Sequence, residues 1–191
     1  MDMEQGNRRI LVIDDNLAIH DDFRKILERS LDTSLLQEVR AELFDDVEEQ
    51  KVVEKFEVEC ADQGQMGYRM VQEAMKAERP YAVAFVDMRM PPGWDGVETV
   101  EHLWQEDPDL QVVICTAFSD HAWEDVIQRL NKNDKLLILR KPFDNIEVWQ
   151  LANSLTKRWT EAQQAKSQFD LLAKWAEERA EERAEDTVKT N

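Results

Sequence analysis

Two stretches, YAVAFVD over residues 81–87 and LQVVICT over residues 110–116, are apolar almost throughout and end in a side chain able to do chemistry. Runs of this kind, without polar alternation, fit strands buried on both faces, as the inner strands of a parallel sheet are. Both are expected to be central. Arg9 to Ile13, Phe56 to Ala61 and Leu136 to Arg140 read as three further strands, and amphipathic stretches alternate with them. Leu17 to Ser30 places Ile19, Phe23, Ile26 and Leu27 on one helical face, Met66 to Ala77 groups Met66, Met70, Ala74 and Ala77, and Val97 to Trp104 follows the same period. Such alternation predicts an α/β fold, a parallel sheet with helices on both faces. Pro80 and Pro108 stand just ahead of the two apolar strands, where a missing N–H does no harm. Asp144 followed three residues later by Glu147 is an Asp form of the capping box, so a last helix is expected from near Asn145.

At 191 residues the chain has room for one core and a modest appendage. Two segments exceed a plain five-fold βα repeat. Leu31 to Lys55 is an acidic insert whose LLQEVRAELF stretch could form a short helix, either as a solvated surface excursion or as a binding element. From Asn145 to about Asp186 there is no Pro or Gly, so helix is expected to continue past what one domain can cover. The division is therefore 8–156 for the globular domain and 157–191 for a helical extension.

Composition narrows the partners. With 41 acidic residues against 24 basic ones and a net charge of -17, the chain lacks the clustered cations that nucleic-acid phosphates require. No leader-like apolar segment follows Met1 and no apolar run nears the roughly 20 residues of a bilayer crossing, so a cytoplasmic protein without membrane insertion is expected. Cys60 and Cys115 fall in strand-like runs with no CxxC spacing or nearby His, and read as buried, reduced core residues.

In a doubly wound sheet, ligands bind beyond the carboxyl ends of the strands. Here those ends carry Asp14 and Asp15, Asp87, Thr116 and Lys141. Three carboxylates on one edge repel unless a cation lies between them, and an all-oxygen set suits Mg2+ better than zinc, which favours His or Cys. An Asp carboxylate beside such a cation is a competent nucleophile toward phosphorus. Lys141 and Thr116 would then offer a charge and a hydroxyl to the phosphoryl oxygens.

The segments ILVIDDN, FVDMRMP, DGVE, VVICTA and LRKPF, in this order and spacing, resemble the motifs of response-regulator receiver domains over about Arg8 to Thr156. The resemblance implies a flavodoxin-like sheet of strand order 2-1-3-4-5. It also implies Asp87 as phosphoacceptor, and Mg2+ held by Asp14, Asp15, Asp87 and the backbone carbonyl of Arg89. Thr116 matches the switch hydroxyl, Lys141 the phosphate-binding lysine, and Lys141–Pro142 a bond that is cis in the family. A histidine kinase or phosphotransfer protein is the implied donor and a downstream protein the implied effector, with no separate catalytic domain in the chain.

Departures from the family pattern are local. PPGW between Met90 and Asp95 makes the loop one residue longer, and Ile138 stands where an aromatic switch residue is common. Arg89 and Phe118 occupy positions that resemble the family's tuning sites for phosphoryl lifetime; both are bulky and would shield the acyl phosphate from water. An Asp-nucleophile phosphatase of the haloacid-dehalogenase kind would need a second Asp two residues after Asp87, where Arg89 stands. An adaptor that is never phosphorylated, its charged residues serving as a salt-bridge cluster, and a receiver fragment of a larger sensor kinase or cyclic-dinucleotide enzyme are the alternatives.

His20, His102 and His121 read as surface or packing residues, and Trp94 as a loop anchor or a contact near Asp87. In the tail Val148, Ala152, Leu155, Trp159, Ala162, Phe169, Ala173, Ala176 and Ala180 follow three- and four-residue steps. That stripe predicts either a modest parallel homodimer through a coiled coil fraying at its charged end, or a helix folded back on its own domain.

Overall fold

The computed structural model describes residues 6–28, 55–117, 129–130 and 134–189, with side chains through Arg179. The expected insert, apart from Lys55, lies outside the described residues, as do Phe118 and His121. Five strands, β1 (Arg9–Ile13), β2 (Glu57–Ala61), β3 (Val83–Asp87), β4 (Gln111–Ala117) and β5 (Leu136–Lys141), form one sheet in the order β2-β1-β3-β4-β5. Every pairing is parallel. The two most apolar runs thus lie inside the sheet, as their composition predicts.

Among the described residues, helices α1 (Leu17–Leu27), α2 (Gly64–Lys76) and α3 (Gly96–Glu106) lie between strands and α4 (Asn145–Lys189) follows the last one. Each begins where local chemistry allows. Asn16 caps α1 by accepting the Ala18 N–H at 3.0 Å, and Asp95 caps α3 by accepting the Glu98 N–H at 2.8 Å. At the start of α4 the Glu147 carboxylate accepts the Asp144 N–H at 2.9 Å, one arm of the predicted capping box.

Because side chains alternate across a strand, successive residues feed two separate cores. Leu11, Ile13, Ala84, Val86, Val112 and Ile114 pack under α2 and α3, meeting Val71, Ala74, Val100 and Leu103. Ile10, Val12, Val83, Phe85, Val113 and Cys115 face the other way, onto Phe23 and Leu27 of α1 and Val148, Ala152 and Leu155 of α4. Cys115 is buried as expected, whereas Cys60 is only half-buried and its thiol is pushed up in pKa mainly by that partial burial.

For the first half of the tail stripe the fold-back alternative holds. Val148, Ala152 and Leu155 are core residues of the domain and Trp159 packs against the same cluster, so the first half of the stripe is consumed internally. Ala162 and Phe169 beyond it are exposed. Helix α4 has 45 residues, about 68 Å at 1.5 Å per residue, and its first half covers the sheet while its second half leaves it. Asp109 marks the point of departure: its carboxylate accepts from Lys135 at 3.0 Å, Gln163 at 3.0 Å and Lys166 at 3.1 Å. The hydrogen bond from Gln163, followed by those from the two lysines, outweighs partial burial and holds this carboxylate well below the usual range.

Candidate functional site

All five strands run the same way, so the residues ending β1, β3, β4 and β5 collect at one edge. Asp14 follows β1, Asp87 ends β3, Thr116 is the penultimate residue of β4 and Lys141 ends β5. Asp87 pairs in register with Cys115, which sets Thr116 one residue beyond it. Lys141 reaches back across the edge, its Nζ lying 2.6 Å from Asp14 Oδ2 and 2.5 Å from Asp87 Oδ1. These side chains are 24%, 4% and 12% exposed respectively, so the two carboxylates are nearly dry and the ammonium closes them from solvent.

The remaining carboxylate oxygens are held by backbone. Asp14 Oδ1 accepts the Asn16 N–H and Asp87 Oδ2 accepts the Arg89 N–H, both at 2.9 Å. Burial by itself would lower the Lys141 pKa, but the hydrogen bonds and charges of Asp14 and Asp87 outweigh it and the pKa is raised. The backbone behind Asp87 is set by Gly96. A Cβ there would lie 2.5 Å from the Asp87 carbonyl oxygen and 2.9 Å from Met88 Cα, so only glycine lets the first turn of α3 approach so closely.

Not every expected residue joins. Asp15 is exposed, and among the described residues no group of three or more His, Cys, Asp or Glu is close enough to hold a metal ion. Thr116 is fully buried, and its hydroxyl donates to the Ala117 carbonyl at 3.3 Å. Arg89 enters the site through its backbone N–H. Ile138 is exposed on β5. Lys141–Pro142 is cis, and so is Pro91–Pro92, which the motifs did not announce.

The donor chemistry fits a hard cation. Asp14 and Asp87 present oxygen alone, Asp15 adds a carboxylate at the next position, and one ammonium leaves the edge in acidic excess. His20, read from sequence as a surface or packing residue, is buried with its Nε2 2.8 Å from the Asp14 carbonyl oxygen, behind the site and not among the donors. His102 and Trp94 also pack, stacked on each other with ring centroids 4.1 Å apart. Nothing in the periodicity could have paired them, because the contact depends on how the loop after β3 lies over α3.

Comparison with known proteins points to one family. Residues 45–153 match the family described as the response regulator receiver domain. That span holds Asp87, Thr116 and Lys141 and begins after Asp14 and Asp15, which the fold supplies through β1. No curated protein sequence matches the chain. Among solved structures it is similar to an adenylate cyclase from Rhodopirellula baltica, with TM-score 0.58, 21% identity, and coverage of 86% of this chain and 98% of that one. A response regulator receiver domain protein from Methanospirillum hungatei gives TM-score 0.57, 19% identity and coverage of 81% and 98%. A response regulator receiver protein from Sinorhizobium medicae gives TM-score 0.54, 18% identity and coverage of 79% and 95%. At such identities the structural likeness concerns the fold.

Proposed function

The chain belongs to the response regulator receiver domain family, and from that premise we propose that it is a switch that accepts a phosphoryl group on Asp87. The observation that carries the reading is the Lys141 ammonium bridging the Asp14 and Asp87 carboxylates at 2.6 and 2.5 Å. A carboxylate oxygen of Asp87 attacks phosphorus, the bond from phosphorus to the donor nitrogen or oxygen breaks, and the electron pair leaves with the donor group. Phospho-His of a histidine kinase or phosphotransfer protein fits as donor, as does a small acyl phosphate. Lys141 would follow the new negative charge, and Thr116, one residue past the register partner of Asp87, would donate its hydroxyl to a phosphoryl oxygen. Asp14, Asp15, Asp87 and the Arg89 carbonyl would hold Mg2+, which when bound neutralises the carboxylates and the incoming phosphoryl oxygens.

The output follows from the helix. Residues 8–156 form the receiver unit, including the segment 31–55, and 157–191 form an extension whose exposed Phe169, Leu172 and Trp175 suit contact with a downstream protein or a second copy of the chain. The net charge of -17 disfavours nucleic acid as a target. Among the described residues no helix is long and apolar enough to cross a membrane, and we place the protein in the cytoplasm with its kinase partner.

Incubation of the full chain with acetyl phosphate and Mg2+, followed by intact-mass measurement, tests the reading. A gain of one phosphoryl group that Asp87→Asn abolishes is expected; uptake by the substituted chain at the same rate would show that Asp87 is not the acceptor.

A further inference from the structure

Between Asp87 and the start of α3 the chain crosses from Met88 to Asp95 without regular structure, and this loop carries the Arg89 N–H that holds Asp87 Oδ2. Its inner side is fastened. Met90 is buried in the core under α2 and α3, the Gly93 N–H donates to the Met90 carbonyl at 3.1 Å, and the Gly96 N–H donates to the Met88 carbonyl at 3.0 Å. Pro91, Pro92 and Gly93 are exposed. Trp94 follows them, half-buried, its ring 4.1 Å from that of His102 on α3 with an interplanar angle of 20°. Tyr68 on α2 lies 6.0 Å from Trp94 and 5.7 Å from His102. The Tyr68 hydroxyl accepts from Gln72 Nε2 at 2.9 Å, and the same amide donates to Glu106 at 3.1 Å, so the aromatic group is anchored to both helices.

A loop that is loose before binding must be ordered when a ligand fixes it, and that cost is taken from affinity; a loop ordered by the fold has met the cost already. We propose that the Trp94–His102 stack, with Tyr68 tilted against it, is a positioning device for the acceptor site, holding the loop so that the Arg89 backbone and the Asp87 carboxylate are in place before cation and phosphoryl donor arrive. The inference rests on the phosphoacceptor reading of Asp87 and adds to it residues that touch neither ligand. Trp94 and His102 act together in this device, because each ring is half of the same stacked pair.

Titration of Mg2+ into the full-length protein by calorimetry tests it, with Trp94→Ala, His102→Ala, Trp94→Phe and the double Ala variant beside the parent chain. Trp94→Ala and His102→Ala are each expected to weaken Mg2+ binding roughly two- to tenfold, the range one aromatic pair spans. Trp94→Phe, which keeps a ring on His102, should stay within about twofold, and the double variant should be little weaker than either single one. With acetyl phosphate, the phosphorylation rate of Trp94→Ala should return to the parent value at saturating Mg2+. If Trp94→Ala does not fold, His102→Ala, which leaves the indole in place, carries the comparison. Unchanged Mg2+ affinity in the folded variants, failure of Phe to rescue, or additive single effects would each overturn the proposal. A parent chain that neither binds Mg2+ nor gains phosphate would overturn the phosphoacceptor reading itself, and the positioning role with it.

Discussion

Lys141 bridges two nearly dry carboxylates with one ammonium, offsetting one of their two charges, and its own ionisation answers to them. Its pKa lies above the ordinary 10.5 although burial pulls it down, because Asp14 and Asp87 pull harder the other way. A cation whose pKa is raised on folding contributes stability that is present in full below the unfolded value and is lost as pH rises through the folded one. Lys141→Met should therefore destabilise the protein by about 2–4 kcal/mol at neutral pH, since it leaves two opposed carboxylates buried without a counter-charge. Urea unfolding of both chains at pH 7 and at successively higher pH beyond 10.5 is the check, and the difference between them should shrink as the pH passes the raised pKa. An equal difference throughout would mean that the ammonium stabilises through packing alone. Asp14 and Asp15 show how far residue-scale reading extends. The acidic pair at the end of a strand is visible in sequence, but which member turns inward to Lys141 and which stays exposed depends on side-chain direction at the strand end.

Among the elements, α2 ends in a Schellman motif built on the wrong residue. The Arg79 N–H donates to the Ala74 carbonyl at 2.9 Å and the Glu78 N–H to the Met75 carbonyl at 3.1 Å, with Glu78 held at φ 55. That left-handed conformation favours glycine, and Glu78 is exposed. Glu78→Gly should raise stability by about 1 kcal/mol, offset in part by the greater freedom of glycine in the unfolded chain. A lower thermal midpoint for the variant would count against the strain assigned to this position. Helix boundaries were legible to within two or three residues from the apolar period and, for the last helix, from the Asp144–Glu147 capping box, whereas the caps Asn16 and Asp95 emerge from the structure. Helix α2 begins at Gly64, ahead of the expected Met66, because Gln63 takes the N-cap position without a side-chain cap bond that sequence could have announced.

For the molecule as a whole, the decisive feature is a helix that belongs to two environments. Up to Trp159 it is part of the core, at Gln163 and Lys166 it is tied to Asp109, and from there Phe169, Leu171, Leu172 and Trp175 are 59–73% exposed. Any coiled-coil seam is thus confined to the distal half, and a weak dimer is expected. Sedimentation at tens of micromolar should show a larger species for the full chain than for a chain ending at Lys157. Phe169→Glu with Leu172→Glu in the full chain should reproduce the smaller species while leaving the Asp109 contacts in place. Monomers throughout would leave the exposed stripe to a different partner.

The sequence by itself determined the layered α/β architecture, the order of its elements along the chain and the chemistry at the strand ends. Nearly apolar runs of this length, set between turn signals, fit inner strands, and in an all-parallel sheet the last residues of the strands necessarily share an edge. Tertiary structure alone decided that Lys141 meets both Asp14 and Asp87, that Trp94 stacks on His102, that His20 lies behind Asp14, and that Asp109 ties down the last helix. It also decided which part of the α4 stripe is core. A three- and four-residue period marks a face as apolar but carries no information on what covers it, and here the cover is the chain's own sheet for the first half of the stripe and solvent beyond it.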